Sequence, residues 1–507
     1  MPRPKTFLKE AKSKKKAKNP DPETADEYLA AGVDLEEAGE KWRAGDAVKS
    51  MRFFMRAIEA YDTGLRRFPH SFDLAYNKAR LQYEITQHPK LSTQLPAPLV
   101  EILHIALKSH RHALSLQQDN ADILFNTAQV LTSLAETITE GRRTTEQHTH
   151  EAARYLQEAL GLFQRCLGVQ EIRFTEGQEQ VNSMAEGGGE GVDQAMEAQG
   201  QEEEMEEAGE PVQSEQWASV IEPVTKDTLV DTAVAQLETL ATLCGLLTLD
   251  SGSTLAWIEE YSADLLKEKI GAYVEGTQRH NEVALARAKF ISTLAEVSFR
   301  SGRLDFETYK NELGNAFGDG LDLSDNPGGL CSRAEALVAF NSALADGELP
   351  SDQEGFKKLL TARWQALSSA LDSLTAATKL PDAENLPKIH IARGDAEMYR
   401  WRLGGAPWNH AIARDNAATL LKNANTYYRG AAALARRDGA GEQEQEGTVK
   451  EAVAFALAGD MQRMEGLVSS SKKELTQVAE DMVEDGLVSA EDMDGLFQKA
   501  DPDEIVF

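Results

Sequence analysis

The sequence predicts an all-α solenoid of antiparallel helix pairs, interrupted once by a long acidic insertion. Three observations carry that prediction. A motif, Asp73-Leu74-Ala75-Tyr76-Asn77-Lys78-Ala79, returns 49 positions later as Asp122-Ile123-Leu124-Phe125-Asn126-Thr127-Ala128. Elsewhere the apolar residues step by three and four, as in Met51, Phe54, Ala57, Ile58, Tyr61 and Leu65, which is the period of one helix face. No stretch shows a convincing strand pattern. A recurring helix–turn–helix unit with small residues at fixed offsets is the mark of a stacked array.

Residues 1–23 come first, as a basic tail with Arg3, Lys5, Lys9, Lys12, Lys14, Lys15, Lys16 and Lys18 and almost no large apolar side chains. Such a segment buries too little surface to offset the entropy of ordering and is expected to be disordered. The run 12–18 resembles a nuclear localisation signal, and it equally suits a solubilising tail. The tail's charge opposes the rest of the chain, which leaves open a fold-back onto an acidic surface.

Repeats are expected over 24–171. Helices at 73–84, 99–117, 122–139 and 151–167 are separated by turn residues, including a polar loop at 141–149. An acidic insertion at 172–222, without Lys or Arg from 176 to 215, is expected to be disordered. The motif resumes as Asp227-Thr228-Leu229-Val230-Asp231-Thr232-Ala233, opening further repeats over 223–318. A C-terminal helical array is expected at 319–438. A polar, acidic linker at 439–447 then leads to short helices that end by 507 in an acidic stretch with an apolar tip.

The second helices carry a small–bulky–small triple: Ala57, Tyr61, Gly64; Ala106, His110, Ala113; Ala159, Phe163, Cys166. The first helices place a small residue at Ala79 and Ala128. These spacings resemble the tetratricopeptide repeat (TPR), whose unit is ~34 residues. The longer period here implies longer helices or loops carrying extra residues. The resemblance extends in style to fungal-type TPR proteins of unassigned activity. By type alone, it extends to acidic TPR chaperones that escort ribosomal proteins.

The resemblance implies a groove lined by first helices that binds extended peptide. It places Asp73, Asp122 and Asp227, then Tyr76, Phe125 and Val230, then Arg80, Gln129 and Val234 toward that groove. A recurring Asp beside an aromatic or aliphatic residue suits a ligand with alternating basic and apolar side chains. Alternatively, those aspartates simply cap their helices. The heat-shock carboxylate clamp of some TPR proteins is disfavoured. Asn77 matches one clamp position, but Glu36, Glu40 and Asp122 stand where acid repels acid, and Asn77 is expected to bond backbone or pack.

The formal net charge is -30. Such a field attracts basic protein partners and repels nucleic acid and anionic membrane. No apolar run approaches the ~20 residues of a membrane span. Cys166, Cys244 and Cys331 are far apart and read as small core residues. The pairs His110/His112 and His148/His150 are two apart, a spacing that does not converge on a helix face. A calcium loop at 319–330 fails on spacing, because Leu330 stands where the twelfth-position Glu is needed. No catalytic constellation or cofactor motif emerges. The expectation is therefore a non-enzymatic adaptor or chaperone for a basic client, in the cytoplasm or nucleus. The alternative is a scaffold subunit in which the acidic insertion is only a spacer.

Overall fold

The computed structural model describes residues 22–140, 145–187, 223–247, 253–318, 320–468 and 472–493. Among them there is no strand. The helices divide into two compact units, one ending at Thr137 and the other beginning at Ile138.

In the first unit, α1 (Ala25–Arg43) opens on a capping box. Thr24 accepts from the Glu27 N–H at 3.2 Å while the Glu27 carboxylate accepts from the Thr24 N–H at 3.2 Å. Asp46 caps α2 (Ala47–Arg67), so the turn at 44–46 is two helix ends back to back. The two helices touch through glycine. A Cβ on Gly32 would lie 2.1 Å from the Tyr61 ring, and one on Gly39 would lie 2.7 Å from the Phe54 ring. Next come α3 (Phe72–Gln87), the single turn α4 (Pro89–Ser92), α5 (Leu99–Leu116) and α6 (Ala121–Thr139). The stretched period has its cause here. The turn α4, anchored by the buried Leu91, and the segment 93–98 lengthen the link between α3 and α5.

In the second unit, α7 (Glu146–Gly187) packs on α8 (Lys226–Leu246). A broken helix follows: α9 (Ser253–Asp264), a π-helical turn (Leu265–Lys269) and α10 (Ile270–Val274). Then come α11 (His280–Arg300), α12 (Phe306–Ala316), α13 (Pro327–Asp346), α14 (Gln353–Ala377), α15 (Leu386–Arg402), α16 (Ala411–Asp415) and α17 (Ala417–Asp438). The unit ends with α18 (Gly441–Leu457), α19 (Met461–Val468) and α20 (Lys472–Glu484). Packing runs between near neighbours in sequence: α8 on α11, α11 on α13, α13 on α14, α14 on α15, α15 on α17, and α17 on α18. This nearly one-dimensional contact order is that of a helical solenoid.

All three sequence-predicted triples are fully buried. The same device continues into the C-terminal array, where the motif had not been legible. Ala370, Leu374 and Ala377 in α14, and Ala424, Tyr428 and Ala431 in α17, are buried at the same spacing. Gly394 of α15 faces Tyr428 as Gly32 faces Tyr61, with a Cβ 2.3 Å from the ring.

Three expectations are corrected. Residues 172–187 are helical, as the continuation of α7. Composition argued for disorder, but an already packed helix propagates far more cheaply than it nucleates, and the Glu, Gln and Ala there are good helix formers. The rest of the acidic insertion, 188–222, lies outside the described residues, as do the basic tail through 21 and the tip at 501–507. Second, the linker expected at 439–447 is largely helix. Gly439, at φ +74°, ends α17 in the left-handed conformation, and α18 starts two residues later. Gly447 lets α18 lie against α17, where a Cβ would meet the Tyr428 carbonyl at 3.1 Å. Third, α8 is long and apolar enough to cross a membrane by length and composition. In the fold it packs on α7 and α11, with Leu237, Leu240 and Leu243 fully buried.

Candidate functional site

The three recurring aspartates share one structural position. Asp73, Asp122 and Asp227 are each the second residue of their helix, exposed, where a carboxylate complements the helix dipole. They are not the caps. In every copy the side chain two residues earlier caps: Ser71 accepts from Leu74 N–H at 3.5 Å, Asn120 from Asp122 and Ile123 at 3.0 and 3.2 Å, and Thr225 from Thr228 at 3.3 Å. The register itself holds, because Ala75, Leu124 and Leu229 are buried, as are Ala79, Ala128 and Ala233.

The other expected groove residues are mostly engaged by their own chain. Tyr76 stacks on Phe72 at 5.7 Å, and its hydroxyl accepts from the Asn126 amide at 3.3 Å. Burial, with Asp122 nearby, raises its phenol above the ordinary value. Arg80 pairs with Glu36 and, at 2.6 Å, with Glu84. Arg43 reaches Glu40 at 2.8 Å and Glu84 at 3.6 Å. Buried Tyr61 donates to Glu36 at 2.5 Å. Tyr83 donates to the Gln129 carbonyl at 3.4 Å and bonds the Ser133 hydroxyl at 2.9 Å. Phe125 is half-buried. Val230 is fully buried in α8 and faces no groove, and Val234 is half-buried. Asn77 donates to the Asp73 carbonyl at 2.9 Å, a backbone bond of the kind expected. The face shared by α1, α3 and α6 is thus cross-linked by its own ion pairs and tyrosines.

An open site lies elsewhere. Between α13 and α15 runs a groove of about 570 Å³, within the range of ligand-binding clefts. Its floor is apolar: Ala334 and Val338 from α13, Leu374 from α14, and Ile389 and Ala392 from α15. Glu335, Asp382, Glu384 and Asp395 line its rim against one lysine, Lys388. Among the described residues, Glu335, Asp382, Glu384 and Lys388 form no ion pair with the protein. Half-buried Cys331 lies in the wall, its thiol raised by burial and by Glu335. The local sequence builds this shape. Asn326 caps α13 and Asn385, in the left-handed conformation, caps α15, so two helices start side by side at one end of the groove. The Gly- and Asp-rich loop before α13 is pinned to α11 at Asp322. Asn281 donates to the Asp322 carbonyl at 2.6 Å and accepts from its N–H at 2.9 Å.

Asp395 is the deepest rim acid and is braced from below. Lys450, 1% exposed, donates to both its oxygens at 2.9 Å and also pairs with Glu446 at 3.1 Å. Burial alone would pull the Lys450 ammonium down, yet these carboxylates hold it above its usual value. Buried Tyr428 donates to Asp395 at 2.7 Å, and burial raises its phenol far above normal. Neither Lys450 nor Tyr428 reaches the surface, so these two side chains brace the wall from within.

Sequence reasoning missed this groove because the α13–α15 face lies outside the copies of the Asp-led motif. The available signal was helical: Lys388, Ala392, Asp395 and Tyr399 step by three and four along one face, and Cys331, Ala334, Glu335 and Val338 along another.

No family model matches the chain. It is similar to UPF0656 protein C926.02 of Schizosaccharomyces pombe, 27% identical over 439 residues that cover 83% of this chain and 86% of that protein. A shorter similarity, 31% identity over 66 residues and 12% of each chain, links it to Uncharacterized protein YNL193W of Saccharomyces cerevisiae. A solved circular tandem repeat protein, described as having novel repeat topology and enhanced subunit contact surfaces, aligns over 94% of this chain and 98% of its own. Its identity of 15% and TM-score of 0.28 are too low to bear on the fold. The chain is an all-α helical array with a fission-yeast relative over most of its length.

Proposed function

We propose that this chain is a non-enzymatic, TPR-like binding module, an adaptor or chaperone that holds a basic, partly apolar segment of a protein partner in the α13–α15 groove. The observation that carries this is the groove's composition: an apolar floor under a rim whose carboxylates outnumber its cations. An extended segment alternating Lys or Arg with aliphatic residues matches both features. The chain's net charge of -30 favours encounter with such a partner. The buried small–bulky–small triples and the glycine-on-tyrosine contacts support the TPR-like reading. A basic client and the absence of a nucleic-acid or membrane role fit a place in the cytoplasm or nucleus.

A fluorescent synthetic peptide alternating Lys and Leu, titrated into the full chain, tests this. Binding should weaken with salt, because exposed charges are screened over ~8 Å at physiological ionic strength. The pair Asp382→Asn, Glu384→Lys should weaken it at least tenfold, about 1.4 kcal/mol. Affinity unmoved by both salt and that pair overturns the assignment.

A further inference from the structure

We propose that the basic N-terminal segment of this chain, residues 1–21, is itself a ligand of the α13–α15 groove, within one molecule or between two, so that a partner must displace it. The proposal rests on the reading of the groove as a site for basic segments. Charge complementarity is the first argument. In a chain of net charge -30, this segment carries Arg3, Lys5, Lys9, Lys12, Lys14, Lys15, Lys16 and Lys18 against only Glu10 and Asp21. The groove offers Glu335, Asp382 and Glu384 free of ion pairs among the described residues.

The second argument is apolar. The segment holds one apolar pair, Phe7-Leu8, flanked by Lys5 and Lys9. That order, cation–apolar–cation, matches a rim of carboxylates around a floor of Val338, Leu374 and Ile389. The third is the lack of an equivalent competitor in the first unit. On the face of α1, α3 and α6, Arg43 and Arg80 already occupy Glu36, Glu40 and Glu84.

The protein carries its own reporter. Cys331 lines the groove and is half-buried, whereas Cys166 and Cys244 are fully buried. The rate at which iodoacetamide alkylates Cys331 in the native full chain therefore reads groove occupancy. It would be compared with the same chain carrying Phe7→Ser, Leu8→Ser, Lys12→Gln, Lys14→Gln, Lys15→Gln and Lys16→Gln. The expected result is alkylation about fivefold faster in the tail variant, the loss of protection by a ligand bound about four-fifths of the time. A synthetic peptide of residues 1–21 added to that variant should slow it again. Asp382→Asn with Glu384→Lys should be fast whatever the tail. Equal rates with and without the tail substitutions overturn the proposal. If the Lys/Leu peptide still slows alkylation in that case, the groove stands as a docking site and only its occupant is wrong. If that peptide also fails, both fall.

Discussion

The face of α1, α3 and α6 in the first unit and the α13–α15 groove in the second are built from the same parts. In both, a glycine receives the ring of a buried tyrosine, Gly32 under Tyr61 and Gly394 under Tyr428. In both, that tyrosine donates to a carboxylate which also holds a cation: Glu36 with Arg80, and Asp395 with Lys450. They differ in where the cation lies. Arg80 is a third exposed and sits on the face, so it neutralises the carboxylates that a partner would meet. Lys450 comes from beneath, on α18, and pairs with Asp395 alone among the rim acids, while Glu335, Asp382 and Glu384 form no ion pair among the described residues. Repeat register decides which residues point toward a face. Whether that face is open depends on where its counter-charge originates.

The comparison can be broken first at the shared glycines. Gly32→Val and Gly394→Val should each cost about 3 kcal/mol, because the side chain would enter a rigid ring rather than a flexible tip. Chemical denaturation checks this. A small effect at one site would mean that the two hairpins are not equivalent. The brace is expected to matter as much. Asp395→Asn should cost about 3 kcal/mol by leaving buried Lys450 with Glu446 alone. Arg80→Gln should cost about 1 kcal/mol, as its partly exposed pairs are screened by water.

His110 gives a pH signature to the first unit. It is fully buried, bonded through Nδ1 to the Ala106 carbonyl at 2.9 Å, and burial pushes its pKa down to about 4. Unfolded histidine takes a proton near pH 6.5, so the unfolded state binds more protons between the two values. Stability is therefore full above that range and falls as the pH drops through it, by about 2 kcal/mol between pH 7.5 and pH 5. His110→Phe should flatten that dependence in denaturation measured at the two pH values.

Most of the fold was legible. The motif period and the apolar stepping placed α5 and α6 to within a residue, whereas α3 runs three residues past the expected end at 84 and the single turn α4 was not foreseen. The expectations that failed did so for identifiable reasons. At 172–187 composition was weighed without the helix preceding it. At 439–447 the glycines serve a helix end and a close helix contact rather than freedom. At Asp73, Asp122 and Asp227 an acid near a helix start was offered as a cap, although Ser71, Asn120 and Thr225 stood two residues earlier. The groove was not legible from the repeat, since the α13–α15 face lies outside the copies of the Asp-led motif and the brace on Asp395 comes from Lys450, 55 positions away.

The most direct test is hydrogen exchange of the full chain with and without the Lys/Leu peptide. Protection should rise along α13 and α15, around 327–340 and 386–399, and stay unchanged along α3 and α6. Protection at α3 and α6 with none at α13 and α15 would contradict the account. It would mean that the ion pairs of Arg80 and Arg43 give way to a partner while the open groove does not receive one.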